Sequence, residues 1–182
     1  MVLAIRYKGN LSTYIWSFLQ GLIGSVFLTV IFENIARGFL VDLFRNELAG
    51  FILLVIVAPI VEEYFKIYPL FKRRAESPET LIIFGFLIGL GFGVSEFLIY
   101  VLLAKVPVLV RLPGLFFHGA STAIATMGLV KNNLAKYYLI AVILHSAVNF
   151  FAELGQVYII GGLGSVILTY ILAYNFYRVA ED

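Results

Sequence analysis

The chain has 182 residues, of which 62% are hydrophobic and 13% are charged. Soluble domains are nearer roughly 45–50% apolar and about 25% charged, so the composition excludes a soluble protein and indicates an integral membrane protein surrounded by lipids. The net charge of +2 is too small and too scattered to predict binding of nucleic acid. Cysteine is absent, which excludes disulfides, thiolate metal sites and a cysteine nucleophile.

Several apolar runs exceed the roughly 18 residues that indicate a transmembrane helix. They predict an all-α bundle of six spans, over about 11–32, 48–71, 80–104, 107–129, 136–154 and 157–177. The third and fourth spans are separated only by KVPVLVRLPG, whose two prolines predict a turn or a re-entrant segment. The length and the short loops predict one integral membrane domain over residues 1–182.

The first ten residues, MVLAIRYKGN, contain no apolar h-region and no small-residue cleavage site. We therefore expect the N-terminus to be retained and the first span to act as the insertion signal. Basic residues in the loops predict the orientation. With the N-terminus inside, the inner segments hold Arg6, Lys8, Lys72, Arg73, Arg74, Lys131, Lys136 and Arg178, and the outer segments hold Arg37, Arg45, Lys105 and Arg111. This excess predicts a multi-pass protein of the cell membrane with both termini in the cytoplasm.

Polar side chains that cannot easily reach an interface lie inside four of the predicted spans: Glu62, Glu63, Glu96, His118, His145 and Asn149. An ionisable group near the bilayer centre costs at least ~2.5–3.5 kcal/mol, so such groups usually face the bundle interior or a water-filled cavity. We therefore predict that these side chains line one shared polar cavity.

Helical spacing groups these residues further, because residues three or four positions apart share a face. His145 and Asn149 point the same way, and Lys66 shares a face with both Glu62 and Glu63. A structural ion pair could account for one glutamate. One lysine cannot neutralise two buried carboxylates, so we expect at least one of them to be solvated.

A stripe of glycines at 85, 89 and 93 runs into Glu96. Such a stripe lets another helix approach closely, and we expect it to bring Glu96 against the paired glutamates. Helix packing alone would also explain the stripe. His118 could likewise be an interfacial histidine, and His145 with Asn149 could be a hydrogen-bonded pair between helices.

The sequence contains no Gly-x-Ser-x-Gly elbow and no His-Glu-x-x-His zinc signature. Carboxylate and imidazole remain, and they suit activation of water by a general base. Imidazole and amide N–H groups suit stabilisation of an oxyanion. The same residue types could relay protons or bind a cation, so they leave the class of protein open.

Three motifs follow one another on successive spans: EEYFK fits EExxK, FGVSE fits FxxxE and HSAVN fits HxxxN, with the histidine of FFHGA between the second and third. With these motifs the chain resembles the PrsW family of intramembrane proteases. That family is a branch of the superfamily of CAAX prenyl endopeptidases and bacteriocin-processing membrane proteins. The resemblance covers about positions 55–150. The CAAX branch more usually ends the second motif with a histidine, whereas this chain has Glu96 there, which favours the PrsW side.

The resemblance implies a glutamate-type protease that cuts a membrane-anchored protein, such as a single-span anti-sigma factor, without a metal or another cofactor. Glu62 would be the general base that activates water. Glu63 would orient the site or hold a second proton, and Lys66 would tune the carboxylates.

The remaining motif residues receive roles in the same way. The resemblance implies that His145 and Asn149 stabilise the oxyanion and that His118 completes the site or protonates the leaving amine. Glu96 replaces a histidine that positions water in the CAAX branch. With the predicted orientation, Glu96 and His118 fall toward the outer ends of their spans, so the cavity would open on the extracytoplasmic side.

Three other interpretations remain open. A proton- or ion-coupled transporter could use Glu62, Glu63 and Glu96 as a relay, although it would call for inverted repeats, which the sequence does not show. A non-catalytic membrane scaffold could keep the polar core for stability. A metal-dependent hydrolase could use His118, His145 and a glutamate as ligands.

Overall fold

The computed structural model describes residues 10–73, 76–155 and 158–181, and these residues form six long helices with no strand among them. The helices are α1 (Leu11–Leu43), α2 (Asn46–Arg73), α3 (Pro78–Leu103), α4 (Val108–Val130), α5 (Leu134–Glu153) and α6 (Tyr158–Glu181). All six are long and apolar enough to cross a membrane, the last through Ile160–Ala180. The predicted all-α bundle of six spans is confirmed.

Helix α1 is longer than predicted, because the sequence pattern ended the first span at residue 32 and the helix continues to Leu43. The chain leaves the helical conformation only at Phe44, which is extended. Asn34 satisfies its own amide by donating to the Val30 carbonyl at 2.7 Å, so this polar residue does not end the helix. As a result Glu33 lies on a helix of the bundle and not in a loop.

Only the first part of the proline-containing stretch, through Pro107, is a turn between two full helices. Helix α3 ends at Leu103 and α4 begins at Val108, so the rest of the stretch, Pro113 included, is helical. Lys105 takes a positive φ of 57° in this turn, a backbone conformation that is uncommon outside glycine. Arg111 therefore lies in the first turns of α4, within the predicted span 107–129, although its charge was counted with the outer segments.

Helix α2 contains a π-helical turn over Leu53–Val57, directly before Pro59. There the Ala58 N–H bonds to the Leu53 carbonyl, five residues back. The next N–H in that pattern would come from Pro59, which has none, so the Leu54 carbonyl is left for a side chain. Asn149 of α5 donates to it from Nδ2 at 2.9 Å.

The glycine stripe of α3 packs against α4. A Cβ added at Gly89 would overlap the His118 carbonyl, and one added at Gly93 would overlap the Leu115 carbonyl. The stripe thus lets the two backbones meet and carries Glu96 to His118. The expectation that it brings Glu96 directly against the paired glutamates needs correction, because the helix that covers the stripe is α4 and not α2.

Helix α4 lies at the centre of the bundle, where every residue from Phe117 to Leu129 is buried. Small side chains dominate this stretch, HGASTAIATMG, so neighbouring helices approach it closely. The outer surface of the bundle is apolar, with large exposed side chains such as Phe27, Leu109 and Ile160. A polar interior inside an apolar exterior is the distribution expected for a protein in lipid.

We predict that Gly89→Ala destabilises the folded protein by about 1–3 kcal/mol, as overpacking does, because its new methyl group meets the His118 backbone. Gly164→Ala is the matched control, since a Cβ there meets nothing within 4 Å. Thermal unfolding in detergent measures both. A Gly89→Ala variant as stable as the Gly164→Ala variant would contradict the close α3–α4 contact.

Candidate active site

Helices α2, α3, α4 and α5 bring the predicted polar residues together inside the bundle. Six of them form one continuous network of contacts of 3.9 Å or less: Glu62, Glu63, Lys66, Glu96, His118 and His145. Glu63 and Lys66 are fully buried, and Glu62, His118 and His145 are at most 6% exposed. The seventh residue, Asn149, lies beside this network and bonds to α2.

Glu63 is the centre of the network. Its Oε1 atom accepts hydrogen bonds from Lys66 Nζ at 2.7 Å, from His145 Nδ1 at 2.9 Å and from Ser121 Oγ at 3.0 Å. These three donors come from three different helices, so the carboxylate joins α2, α4 and α5. Sequence reasoning missed Ser121, and the signal that could have found it is its position three residues after His118, on the same face of α4.

A second carboxylate, Glu96, fixes the other histidine. Its Oε2 atom lies 2.6 Å from His118 Nε2 and 3.0 Å from Arg111 Nη2. The guanidinium group of Arg111 also stacks on the ring of Tyr100, 3.7 Å from the ring centroid. Arg111 was read only as a charge that sets orientation, yet it lies two helical turns before His118 and therefore faces the same way.

The two histidines turn their remaining nitrogens toward Glu62. An ionised carboxylate only accepts hydrogen bonds, so His118 Nε2 and His145 Nδ1 carry the ring protons that face Glu96 and Glu63. In the neutral rings His118 Nδ1 and His145 Nε2 are then unprotonated, and they lie 3.9 Å and 3.7 Å from Glu62 Oε2. We call Glu62 Oε2, His118 Nδ1 and His145 Nε2 the donor triad, because each of these unprotonated atoms can donate a lone pair to a cation.

Glu62 Oε2 has no hydrogen-bond partner among the described residues, although its side chain is only 7% exposed. Lys66 Nζ is near at 3.6 Å, beyond a hydrogen bond, and lies closer to Glu63. Buried polar atoms are nearly always hydrogen-bonded. Glu63 Oε2 is also without a partner, but Glu62 Oε2 in addition faces the two unprotonated ring nitrogens. It therefore marks a point of the network where a further group has a place to bind.

A cavity of about 290 Å³ is lined in part by Glu62. Its polar lining residues are Thr29, Glu33, Glu62, Glu96, Tyr100, Arg111, Asn149 and Glu153. Tyr100 and Glu153 lie close to the ends of α3 and α5, and Arg111 lies close to the start of α4, so the cavity leads from Glu62 to that end of the bundle. We call this the far end, since it is opposite to the start of α1.

A smaller space of about 20 Å³ lies next to the histidines and is lined in part by His118, His145, Asn149 and Arg111. The prediction of one cavity shared by all six polar residues thus needs correction, because they divide between two spaces. Glu62 lines the larger space, His118 and His145 line the smaller one, and Glu96 and Asn149 line both. Glu63 lines neither of these two spaces, because its carboxylate is enclosed by the network.

Asn149 and His145 share a face of α5, as their spacing predicts, but the ring N–H of His145 and one amide N–H of Asn149 already have acceptors. Asn149 Nδ2 donates to the Leu54 carbonyl, and the His145 ring proton faces Glu63. The oxyanion role that the motif implies for this pair stays a prediction.

A family model described as PrsW family intramembrane metalloprotease matches residues 9–176 of the chain. The chain belongs to the PrsW family. The match extends beyond positions 55–150 at both ends, so the first and last spans also carry the pattern of the PrsW family. Membership identifies the protein as an intramembrane peptidase with several membrane spans. No curated protein and no solved structure is significantly similar to the chain.

The description of the PrsW family implies a metal ion, and the donor triad fits one. Its three atoms all lie within 4.8 Å of one another, and two histidines with one glutamate are a known ligand set of catalytic zinc. Histidines that bind zinc usually donate their other ring N–H to a carboxylate or carbonyl, as His118 and His145 do here. Lys66 Nζ lies 3.1 Å from His118 Nδ1, so the ammonium group and an ion would compete for that nitrogen.

We predict that Lys66→Met destabilises the protein by about 3–5 kcal/mol, because it leaves the fully buried Glu63 without its cation. Adding Glu63→Gln should recover part of this loss, since the second change removes the uncompensated charge. Thermal unfolding of the two single variants and the double variant in detergent measures the coupling between the two positions. Strictly additive losses would show that the ion pair is not the source of the effect.

Proposed function

We propose that the protein hydrolyses a peptide bond of a membrane-anchored protein with a water molecule that Glu62 activates. The observation that carries the proposal is the unsatisfied Oε2 atom of Glu62, buried beside a cavity and facing two unprotonated imidazole nitrogens. A general base must lie within hydrogen-bond reach of the proton that it takes. Glu62 lines the cavity, so a water molecule there can approach its carboxylate.

In the proposed reaction the water oxygen forms a bond to the carbonyl carbon of the scissile peptide, and one water proton moves to Glu62 Oε2. The π electron pair of the carbonyl moves to its oxygen. When the carbonyl forms again, the C–N bond breaks, and Glu62 passes the proton to the leaving amine. The same carboxylate then serves as base and acid, so the reaction needs no other proton source.

The neighbouring residues hold this base in place. Glu63 and Glu96 each accept a hydrogen bond from the ring N–H of one histidine, so His145 Nε2 stays free to orient the water by accepting a hydrogen bond from its second O–H. His118 Nδ1 faces Lys66 Nζ at 3.1 Å. Lys66 binds Glu63 and balances part of the negative charge.

A metal ion gives a second form of the proposal, which the donor triad and the description of the PrsW family favour. Glu62, His118 and His145 would hold the ion, which would supply Lewis-acid activation of the water. Glu63 and Glu96 would keep the two rings oriented, as they do in the structure.

The cavity also suggests where the substrate is cut. It leads to the far end of the bundle, which is the extracytoplasmic side if both termini lie in the cytoplasm of a cell membrane, as the basic residues of the loops indicate. We propose that the substrate is a single-span protein, such as a membrane-bound anti-sigma factor, cut near its outer face.

We predict that Glu62→Gln abolishes cleavage while the protein remains folded, because glutamine keeps the shape of the side chain but cannot take the proton. The assay uses a panel of single-span reporter proteins with different membrane-proximal sequences in liposomes, with products identified by mass spectrometry. Glu47→Gln, an exposed residue in the first turn of α2, is the control and should cleave like the unmodified protein. Normal cleavage by the Glu62→Gln variant would assign the base to another residue.

Metal analysis of the purified protein separates the two forms of the proposal. In the form without an ion, the protein contains no stoichiometric metal and a strong chelator leaves cleavage unchanged. In the form with an ion, His145→Ala lowers the bound metal by at least tenfold and chelation stops cleavage. Stoichiometric zinc whose removal ends activity would overturn the metal-independent mechanism.

A further inference from the structure

Negative charge develops on the carbonyl oxygen of the scissile peptide during hydrolysis, and a hydrogen bond from an N–H donor stabilises it. The two residues implied by the sequence motif have contacts elsewhere: Asn149 uses one of its two amide N–H groups for the Leu54 carbonyl, and His145 Nδ1 faces Glu63. His145 has no second ring proton in its neutral form. At most one N–H of this pair is left for the oxyanion, so any further donor comes from the other side chains that line the cavity.

Arg111 meets the requirement. It lines both the 290 Å³ cavity beside Glu62 and the 20 Å³ space beside His118 and His145. A guanidinium group carries five N–H donors, and the Glu96 ion pair occupies Nη2. The Nε atom has no partner among the described residues.

Its surroundings hold Arg111 more rigidly than an ion pair requires. The group stacks on Tyr100 at 3.7 Å from the ring centroid, which fixes the plane of the guanidinium, and Glu96 fixes its direction. Its side chain is 21% exposed, so it can meet a ligand in the cavity. A preorganised donor in a site that excludes water is the arrangement that stabilises charge in a transition state.

We propose that Arg111 is a catalytic residue that donates an N–H to the carbonyl oxygen of the scissile peptide bond. The proposal rests on the proposed peptidase function. The positive charge of the guanidinium group stabilises the negative charge that forms on that oxygen. The ion pair with Glu96 stays in place at Nη2 of the same group. Arg111 thus supplies a donor that neutral His145 cannot, beside the one amide N–H that Asn149 keeps.

The test compares Arg111→Ala, Arg111→Lys and the unmodified protein on the reporter that the unmodified protein cuts fastest. We expect kcat to fall by about 10²–10³ in both variants, with KM nearly unchanged, because the donor acts mainly in the transition state. Added guanidinium ion at low millimolar concentration should restore part of the rate of Arg111→Ala. Arg37→Ala, which removes an exposed arginine of α1, is the matched control and should leave kcat unchanged.

The outcomes separate this inference from the function on which it rests. If the unmodified protein cuts a reporter and both Arg111 variants keep its kcat, the role of Arg111 is wrong and the peptidase function stands. A fall in both kcat and melting temperature without rescue by guanidinium would assign Arg111 a structural role and overturn the inference. If the folded, unmodified protein cuts no reporter, the proposed peptidase function is wrong, and the proposed role of Arg111 is wrong as well.

Discussion

The ion pair between Glu63 and Lys66 is the interaction on which the rest of the site depends. Both side chains are fully buried, and their 2.7 Å contact lies within a bundle whose exterior is apolar. A buried pair of this kind costs desolvation energy that only further hydrogen bonds can offset. His145 and Ser121 supply those bonds to Glu63. The pair therefore stabilises one arrangement of three helices. Because Glu63 accepts a hydrogen bond from His145 Nδ1, the other nitrogen of that histidine faces Glu62.

Two backbone features place the remaining groups. The glycine stripe lets α3 meet α4 so closely that Glu96 reaches His118. The π-helical turn before Pro59 leaves a carbonyl for Asn149, which ties α5 to α2 near Glu62. Both features bring polar groups of different helices together without opening the bundle to lipid. Asn149 thus has a structural contact that its motif alone does not reveal.

The sequence predicted the six spans, because a run of about 20 apolar residues has the length and composition of a transmembrane helix. It also predicted which polar side chains meet, since the cost of leaving Glu62 or His145 in lipid is independent of detailed packing. It did not predict that α1 extends to Leu43, because residues near a span end can be helix or loop at similar cost. It included Arg111 in the span 107–129 but counted it only as an outer charge. Arg111 and Ser121 became visible as partners only when the structure placed them beside Glu96 and Glu63.

The balance of charge gives the site its remaining constraint. In the described network and cavity, leaving aside the exposed Glu153, four carboxylates (Glu33, Glu62, Glu63 and Glu96) face two fixed cations, Lys66 and Arg111. Lys66 Nζ lies closer to Glu63 than to Glu62, and Arg111 pairs with Glu96, so two cations are shared among four carboxylates. In a low dielectric this surplus of negative charge must be balanced by protons or by a bound cation. A proton that Glu62 takes from water lowers the surplus by one charge, and a divalent ion at the donor triad would lower it by two. The surplus thus follows from the arrangement of the helices, and both forms of the proposed mechanism use it.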